Sequence, residues 1–242
     1  MRLQQGENDN AISNDNAISN EGFRSNEGSR SNEGFRSNEG SRSNEGSVSR
    51  AWTRFREAVR GDHAAMRGNR ERYPTEGSSM KSHGIVGDAI YNVGFQMLLV
   101  VRVMHLFRDL GVPLAPQVCS RTIRHLYGAE IHWDAHLEPG VTIVHGNGLV
   151  ISHGARVAAG CILFQHVTLG ESIDPLSRAV GAPTLDTHVH VGPGAVLLGP
   201  IHIGGRSKIM ANTVVDRSVP AGSIVRGSTL EIIPRGPSGG DS

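Results

Sequence analysis

Between Ile131 and Ala221, apolar residues recur at every sixth position. The first run is Ile131, Leu137, Ile143, Leu149, Ala155, Cys161 and Val167. After a break the frame resumes at Leu185, Val191, Leu197, Ile203, Ile209, Val215 and Ala221. In a chain that is 38% apolar, chance gives such a series on the order of once in 10⁵, after allowing for six frames. Neither the helical period of 3.6 nor two-residue alternation produces it. A six-residue apolar repeat predicts a parallel β-helix, with one short strand and one turn per repeat. Three sides make a coil of about 18 residues, with the apolar positions pointing into a prism. Each coil buries its core only against its neighbours, and the stretch has room for about five. Its glycine-rich texture suits tight corners.

The rest of the chain follows other patterns. Asn recurs at Asn8, Asn14, Asn20, Asn26, Asn32, Asn38 and Asn44 in a polar array with little to bury, so residues 1–50 are expected to be disordered. A short helical region is expected over residues 51–128. It begins with a polar helix that sets Trp52, Phe55 and Val59 at helical spacing and closes before Pro74. A strongly apolar helix follows from Asp88 to Leu110, and a shorter one from Gln117 to Tyr127. The β-helix is expected over 129–225 and a loose tail over 226–242. Residues 171–184 hold Pro175 and Pro183 and read as an excursion from the prism.

Composition removes several function classes. A formal charge of +1 argues against a dedicated nucleic-acid surface or a polybasic tether. The apolar part of the 88–110 helix is shorter than the roughly 20 residues a bilayer crossing needs, so no membrane span is expected. Cys119 and Cys161 form no disulfide framework, and Cys161 lies on the inward frame as a buried thiol. The N-terminus is polar, without a signal-peptide core, and the chain is expected in the cytoplasm.

The stretch GAEIHWDAHLEPGVTIVHGNGLVISHGARVAAGCILFQHVTLGES resembles the hexapeptide-repeat acyltransferases, and within them the serine O-acetyltransferase group. The upstream VGFQMLLVVRVMHLFRDLG is similar to that group's GF helix with Arg-x-x-His, here Arg102 and His105. The resemblance covers roughly residues 90–225. It implies a mainly β fold, a left-handed parallel β-helix preceded by a short α-helical region. It also implies transfer of acetyl from acetyl-CoA, as co-substrate, to a hydroxyl, with L-serine the leading acceptor and no metal required.

The resemblance makes His145, in TIVHGNG, the catalytic histidine. Imidazole suits the task, because a hydroxyl must lose its proton as it attacks a thioester. Glu130, fifteen residues earlier, stands where the family has Asp and would orient the ring. Gly170, Gly192, Pro193 and Ala211 match the acetyl-CoA positions, and backbone N–H groups near Gly170 would stabilise an oxyanion. Two acceptor-side positions depart from the pattern. Val144 replaces an acidic residue and Ala182 a second histidine, while His166 replaces a small residue and is either a compensating substrate-binding group or a structural or exposed histidine.

A sugar or polysaccharide acceptor is the alternative these departures open. A β-helix metal hydratase needs His-x₄-His, which the chain lacks, and His188-x-His190 supplies only two ligands. A non-enzymatic scaffold is the remaining alternative. The implied assembly is a homotrimer. The chain ends Gly-Gly-Asp-Ser rather than in the family's isoleucine, so no complex with cysteine synthase is expected.

Overall fold

The structure, a computed structural model, describes residues 39–72, 84–173 and 178–227. Four helices precede the strands: α1 (Glu39–Arg72), α2 (Gly84–Tyr91), α3 (Val93–Asp109) and α4 (Ala115–Tyr127). The first coil holds β1 (Glu130–Ile131), β2 (His136–Leu137) and β3 (Thr142–Ile143). The second holds β4 (Val150–Ile151), β5 (Arg156–Val157) and β6 (Ile162–Leu163). In the third, β7 (Thr168–Gly170) is followed by β8 (Ser172–Ile173), β9 (Val180–Gly181), β10 (Thr184–Leu185) and β11 (His190–Val191). The fourth holds β12 (Val196–Leu198), β13 (His202–Ile203) and β14 (Lys208–Ile209), and the last β15 (Val214–Val215) and β16 (Ile224–Val225).

These strands make the three faces of a left-handed parallel β-helix. The first face stacks β1, β4, β7, β12 and β15; the second β2, β5, β10 and β13; the third β3, β6, β11, β14 and β16. Ile131, Ile151, Leu169, Leu197 and Val215 are successive register partners on the first face, and all are buried. Such ladders of aliphatics fill the prism, each fully buried side chain contributing roughly 1.5–3 kcal/mol.

The six-residue frame is corrected in one respect. Twenty residues separate the partners Ile131 and Ile151, whereas eighteen separate Ile151 and Leu169. Two extra residues in the segment 144–149 therefore shift the frame. From Leu149 to Val167 the expected series falls two residues before each strand centre. These positions also point inward: Leu149, Ala155, Cys161 and Val167 are all fully buried. Each repeat buries two residues rather than one, and for that reason the periodicity survives the shift. Burial pushes the Cys161 thiol up to about 12, so it is an inert core group.

The excursion expected at 171–184 is present: β8 and β9 pair antiparallel, outside the three faces of the prism, with Ile173 and Val180 exposed. Residues 174–177 lie outside the described residues. The boundary expected after residue 50 is not observed, because α1 already runs from Glu39. The remainder of the array, 1–38, is outside the described residues. The apolar face expected on α1 is shifted as well. Ala51, Ala58 and Met66 are buried while Trp52 is exposed and meets Phe55 edge-on at 5.7 Å. Small alanines let the helix approach closely, and a Cβ on Gly61 would stand 3.2 Å from the Pro139 side chain.

The single helix expected from Asp88 to Leu110 is two helices bent by 104°. Asn92 sits between them in extended conformation and caps α3, its Oδ1 accepting from Phe95 N–H at 2.9 Å. Among the described residues no single helix is long and apolar enough to cross a membrane. In α4, Pro116 occupies the first turn, where its missing N–H costs nothing.

A β-helix has an open lower edge, where the carbonyls of the first coil lack a coil beneath them. Side chains of α3 and α4 supply the donors. Ser120 Oγ donates to Ile131 O at 2.6 Å and Arg108 to Trp133 O at 3.2 Å. His105 Nε2 bonds Ala135 O at 3.1 Å, and Arg102 donates to Leu137 O at 2.6 Å and Glu138 O at 2.9 Å. Arg102, His105 and Arg108 lie three residues apart on α3 and serve successive alternate carbonyls. The Arg-x-x-His spacing is thus the sequence mark of a lid on an unpaired strand edge. Arg102 is itself held by a bidentate pair with Asp62 of α1, at 2.7 and 2.9 Å, and Gly140 N–H donates to the same carboxylate.

His105 makes stability depend on pH. Burial, reinforced by the Arg108 and Arg102 charges, pushes its imidazole down to about 4 from 6.5. Between these values the unfolded chain binds the proton and the folded one does not, so stability rises with pH across the window. Stability is full above about 6.5 and falls by up to about 3 kcal/mol as pH drops towards 4. His105→Gln keeps a donor to Ala135 O without titrating. Urea midpoints from pH 7.5 to 5 should fall more steeply in the wild type than in this variant, and parallel curves would refute the assignment.

Candidate active site

His145 lies in the segment 144–149, which joins the third face to the first and contains the two extra residues. Its φ is 65°, and Gly146 N–H returns to Val144 O at 2.9 Å, closing a three-residue γ-turn with His145 at its centre. Histidine tolerates this region better than most side chains, and His166, His188 and Asn212 adopt it at other corners of the prism. The side chain is exposed and makes no hydrogen bond among the described residues. It is free to exchange a proton with a bound molecule.

The glycines of the HGNG motif explain how this turn is held. Gly146 lies over α3, where a Cβ would collide with Met97 Sδ and come 3.1 Å from Cε. Gly148 lies under the second coil, where a Cβ would collide with His166 Nδ1 and come 2.8 Å from Cε1. Gly148 N–H bonds Gly128 O at 2.9 Å, and His166 N–H bonds Asn147 O at 2.8 Å. Just upstream, a Cβ on Gly94 of α3 would collide with Ile143 O, so the Gly of the GF motif lets the helix touch the coil. The two sequence motifs are therefore the two halves of one contact. Asn147 and Met97 belong to this contact although the sequence offers no pattern that singles them out.

The structure brings some predicted site residues together and separates others. His145, His166, Gly192, Pro193 and Ala211 share the third-to-first edge, linked by Gly194 N–H to Gln165 O at 3.0 Å and Asn212 N–H to Pro193 O at 2.8 Å. Gly192 marks a close backbone approach, since a Cβ would stand 2.9 Å from both Ala211 N and Ile209 O. Gly170 is at the other end of its strand, on the first-to-second edge, where its carbonyl accepts from Gly199 N–H at 3.0 Å. Ala182 is also on that edge, 3.9 Å from where a Cβ on Gly154 would lie.

Glu130 does not meet His145 in the single chain. Its backbone N–H bonds Leu149 O at 2.8 Å, at the base of the loop, but its carboxylate faces Arg124 at 3.6 Å. Both side chains of that pair are more than half exposed, at 55% and 66%, so it holds the carboxylate only weakly. A second group of titratable residues stands on the first-to-second edge. His132 meets His153 edge-on at 5.4 Å, and His153 Nδ1 is 3.7 Å from Glu171. Among the described residues no three His, Cys, Asp or Glu side chains converge as an ion-binding set.

No family model matches the chain. Individual proteins do. It is 40% identical over 142 residues to a serine acetyltransferase of Synechococcus elongatus, covering 59% of this chain and 57% of that protein. The chain spans about half the length of the curated relatives it first matches. The crystal structure of the Neisseria gonorrhoeae serine acetyltransferase in complex with serine is similar at a TM-score of 0.62 and 26% identity, over 73% of this chain and 68% of that one. A serine acetyltransferase in complex with CoA shares the fold at a TM-score of 0.63 and 23% identity, over 79% of this chain and 75% of that one. A serine acetyltransferase of Helicobacter pylori is 33% identical over 142 residues, covering 59% of this chain and 82% of that protein. A match that runs through most of a relative, helices and prism together, exceeds what a shared repeat texture gives: the chain belongs to the serine acetyltransferase family.

Proposed function

We propose that this chain acetylates the hydroxyl of L-serine with acetyl-CoA, and that His145 is the general base. The observation that supports this best is the turn at His145: an exposed imidazole with no partner among the described residues, held in a left-handed turn between α3 and the second coil. Acetyl-CoA supplies an acetyl group already activated as a thioester. His145 takes the acceptor's proton as the hydroxyl oxygen bonds the acetyl carbon. It returns that proton to the sulfur as the C–S bond breaks, so the ring ends as it began. Gly192, Pro193 and Ala211, on the same edge as His145, are the residues that would line the pantetheine arm. Glu130 is the orienting carboxylate, which requires it to leave Arg124, and Gly170 contributes from the opposite edge.

His145 and Gly170 lie on different edges of one prism. A single site uses both only where edges of two copies meet, which supports a cyclic homotrimer. Light scattering should give three times the chain mass, and a monomer with full activity would contradict the shared site. A second reading, acetylation of a sugar hydroxyl, is favoured by the apolar side chains at Val144 and Ala182. An acceptor screen read by free-thiol release separates the two. L-serine should be preferred over hexoses and their oligomers, and the reverse order would replace the first reading with the second.

A further inference from the structure

We propose that His166 is a positioning residue for His145, clamping the active-site turn onto α3 from the coil above rather than binding the acceptor. This rests on the reading of His145 as the base. The turn is gripped from two sides. Below, Gly146 lies against Met97; above, the His166 ring covers Gly148 so closely that a Cβ there would collide with it. The grip is completed by the backbone, because His166 N–H bonds Asn147 O at 2.8 Å, between the turn and Gly148. His166 itself has a φ of 57°, and its ring, though the residue is exposed, lies against Gly148 of the preceding coil.

The same device recurs in this chain and shows what the contact does by itself. His188, at φ 61°, covers Gly160 of the coil before it, where a Cβ would stand 2.6 Å from Cε1. Asn212, at φ 55°, covers Gly194, where a Cβ would stand 3.3 Å from Cγ. A polar residue tolerant of left-handed backbone stacked on a glycine is thus a general corner lock of this prism. His166 differs in what it locks. Gly160 and Gly194 belong to regular corners, whereas Gly148 ends the enlarged loop that carries His145. Displacing a catalytic group by about 1 Å costs on the order of a hundredfold in rate. A lock on this corner therefore bears on turnover, and the same lock on another corner does not.

Three variants of the full chain test this: His166→Ala, His166→Asn and His188→Ala. The readouts are melting temperature, kcat, both KM values and hydrogen exchange at the Gly146 and Gly148 amides. His166→Ala and His188→Ala should lose similar melting temperature. Only His166→Ala should lower kcat, by about tenfold to a hundredfold, with both KM values little changed. It should also speed exchange at Gly148. His166→Asn should keep kcat within about threefold, as Asn212 does the same work over Gly194. Wild-type kcat and exchange in His166→Ala would overturn the proposal. So would an equal kcat loss in His188→Ala, or a rise confined to the acceptor KM, which would make His166 a direct acceptor contact. The exchange measurement needs no turnover, so a failure of the acetyltransferase reading would leave this outcome separately legible.

Discussion

His145→Ala should lower kcat by roughly 10²–10⁴ while changing the KM for acetyl-CoA little. Removing the imidazole leaves the acceptor hydroxyl to lose its proton to water, which is a far weaker base. The fold should be unaffected, because the side chain is exposed and has no partner among the described residues. Alanine even tests the turn. Alanine at φ 65° carries a small backbone penalty that glycine does not, so His145→Ala should melt slightly below His145→Gly, which is the matched control. Glu130→Gln should cost less than either, since the carboxylate faces Arg124 in the single chain and engages His145 only after moving. Steady-state kinetics with both substrates varied decides the point. Near-normal turnover in His145→Ala would remove the proposed base, and an effect confined to KM would make it a binding group.

Arg102→Ala should destabilise the protein by about 3–5 kcal/mol, the usual consequence of leaving one partner of a buried pair uncompensated. Asp62 and Arg102 are almost completely buried, at 1% and 3% side-chain exposure. Burial raises the Asp62 carboxyl above its ordinary value, against the opposing pull of Arg102 and the Gly140 N–H. The pair is therefore expensive to break and of modest net value when intact. The double change Asp62→Leu with Arg102→Met should accordingly be milder than either single change, although it still forfeits the two donors to Leu137 O and Glu138 O. Urea midpoints for the three variants test this, and a double variant worse than both singles would refute it.

The prism was legible in the sequence because its inward positions have a fixed period, and side chains six residues apart meet the same core. The two-residue shift after Ile143 was not legible, because both inward positions of each repeat are apolar and the count continued through the change. The break at Asn92 was hidden for a related reason: α2 and α3 are both apolar, and only the cap at Asn92 and the contact of Gly94 with Ile143 O distinguish them from one helix. The start of α1 inside the polar array carries no apolar signal at all. At the candidate site, the family's HGNG stretch singles out His145 as the proposed base. The grip of Met97 and His166 on that loop was not legible, because it links residues far apart in the chain through the glycines between them. The Arg-x-x-His helix was recognisable, but its work on alternate carbonyls of the first coil emerges only when the coil's open edge is in view.

Acetyl transfer to serine, the proposed activity, is tested most directly by identifying the product. The purified chain, mixed with acetyl-CoA and L-serine, should form acetylated serine in the same amount as free CoA thiol. Thiol release without acetylated serine, or preferential acetylation of a sugar supplied alongside, would contradict the account.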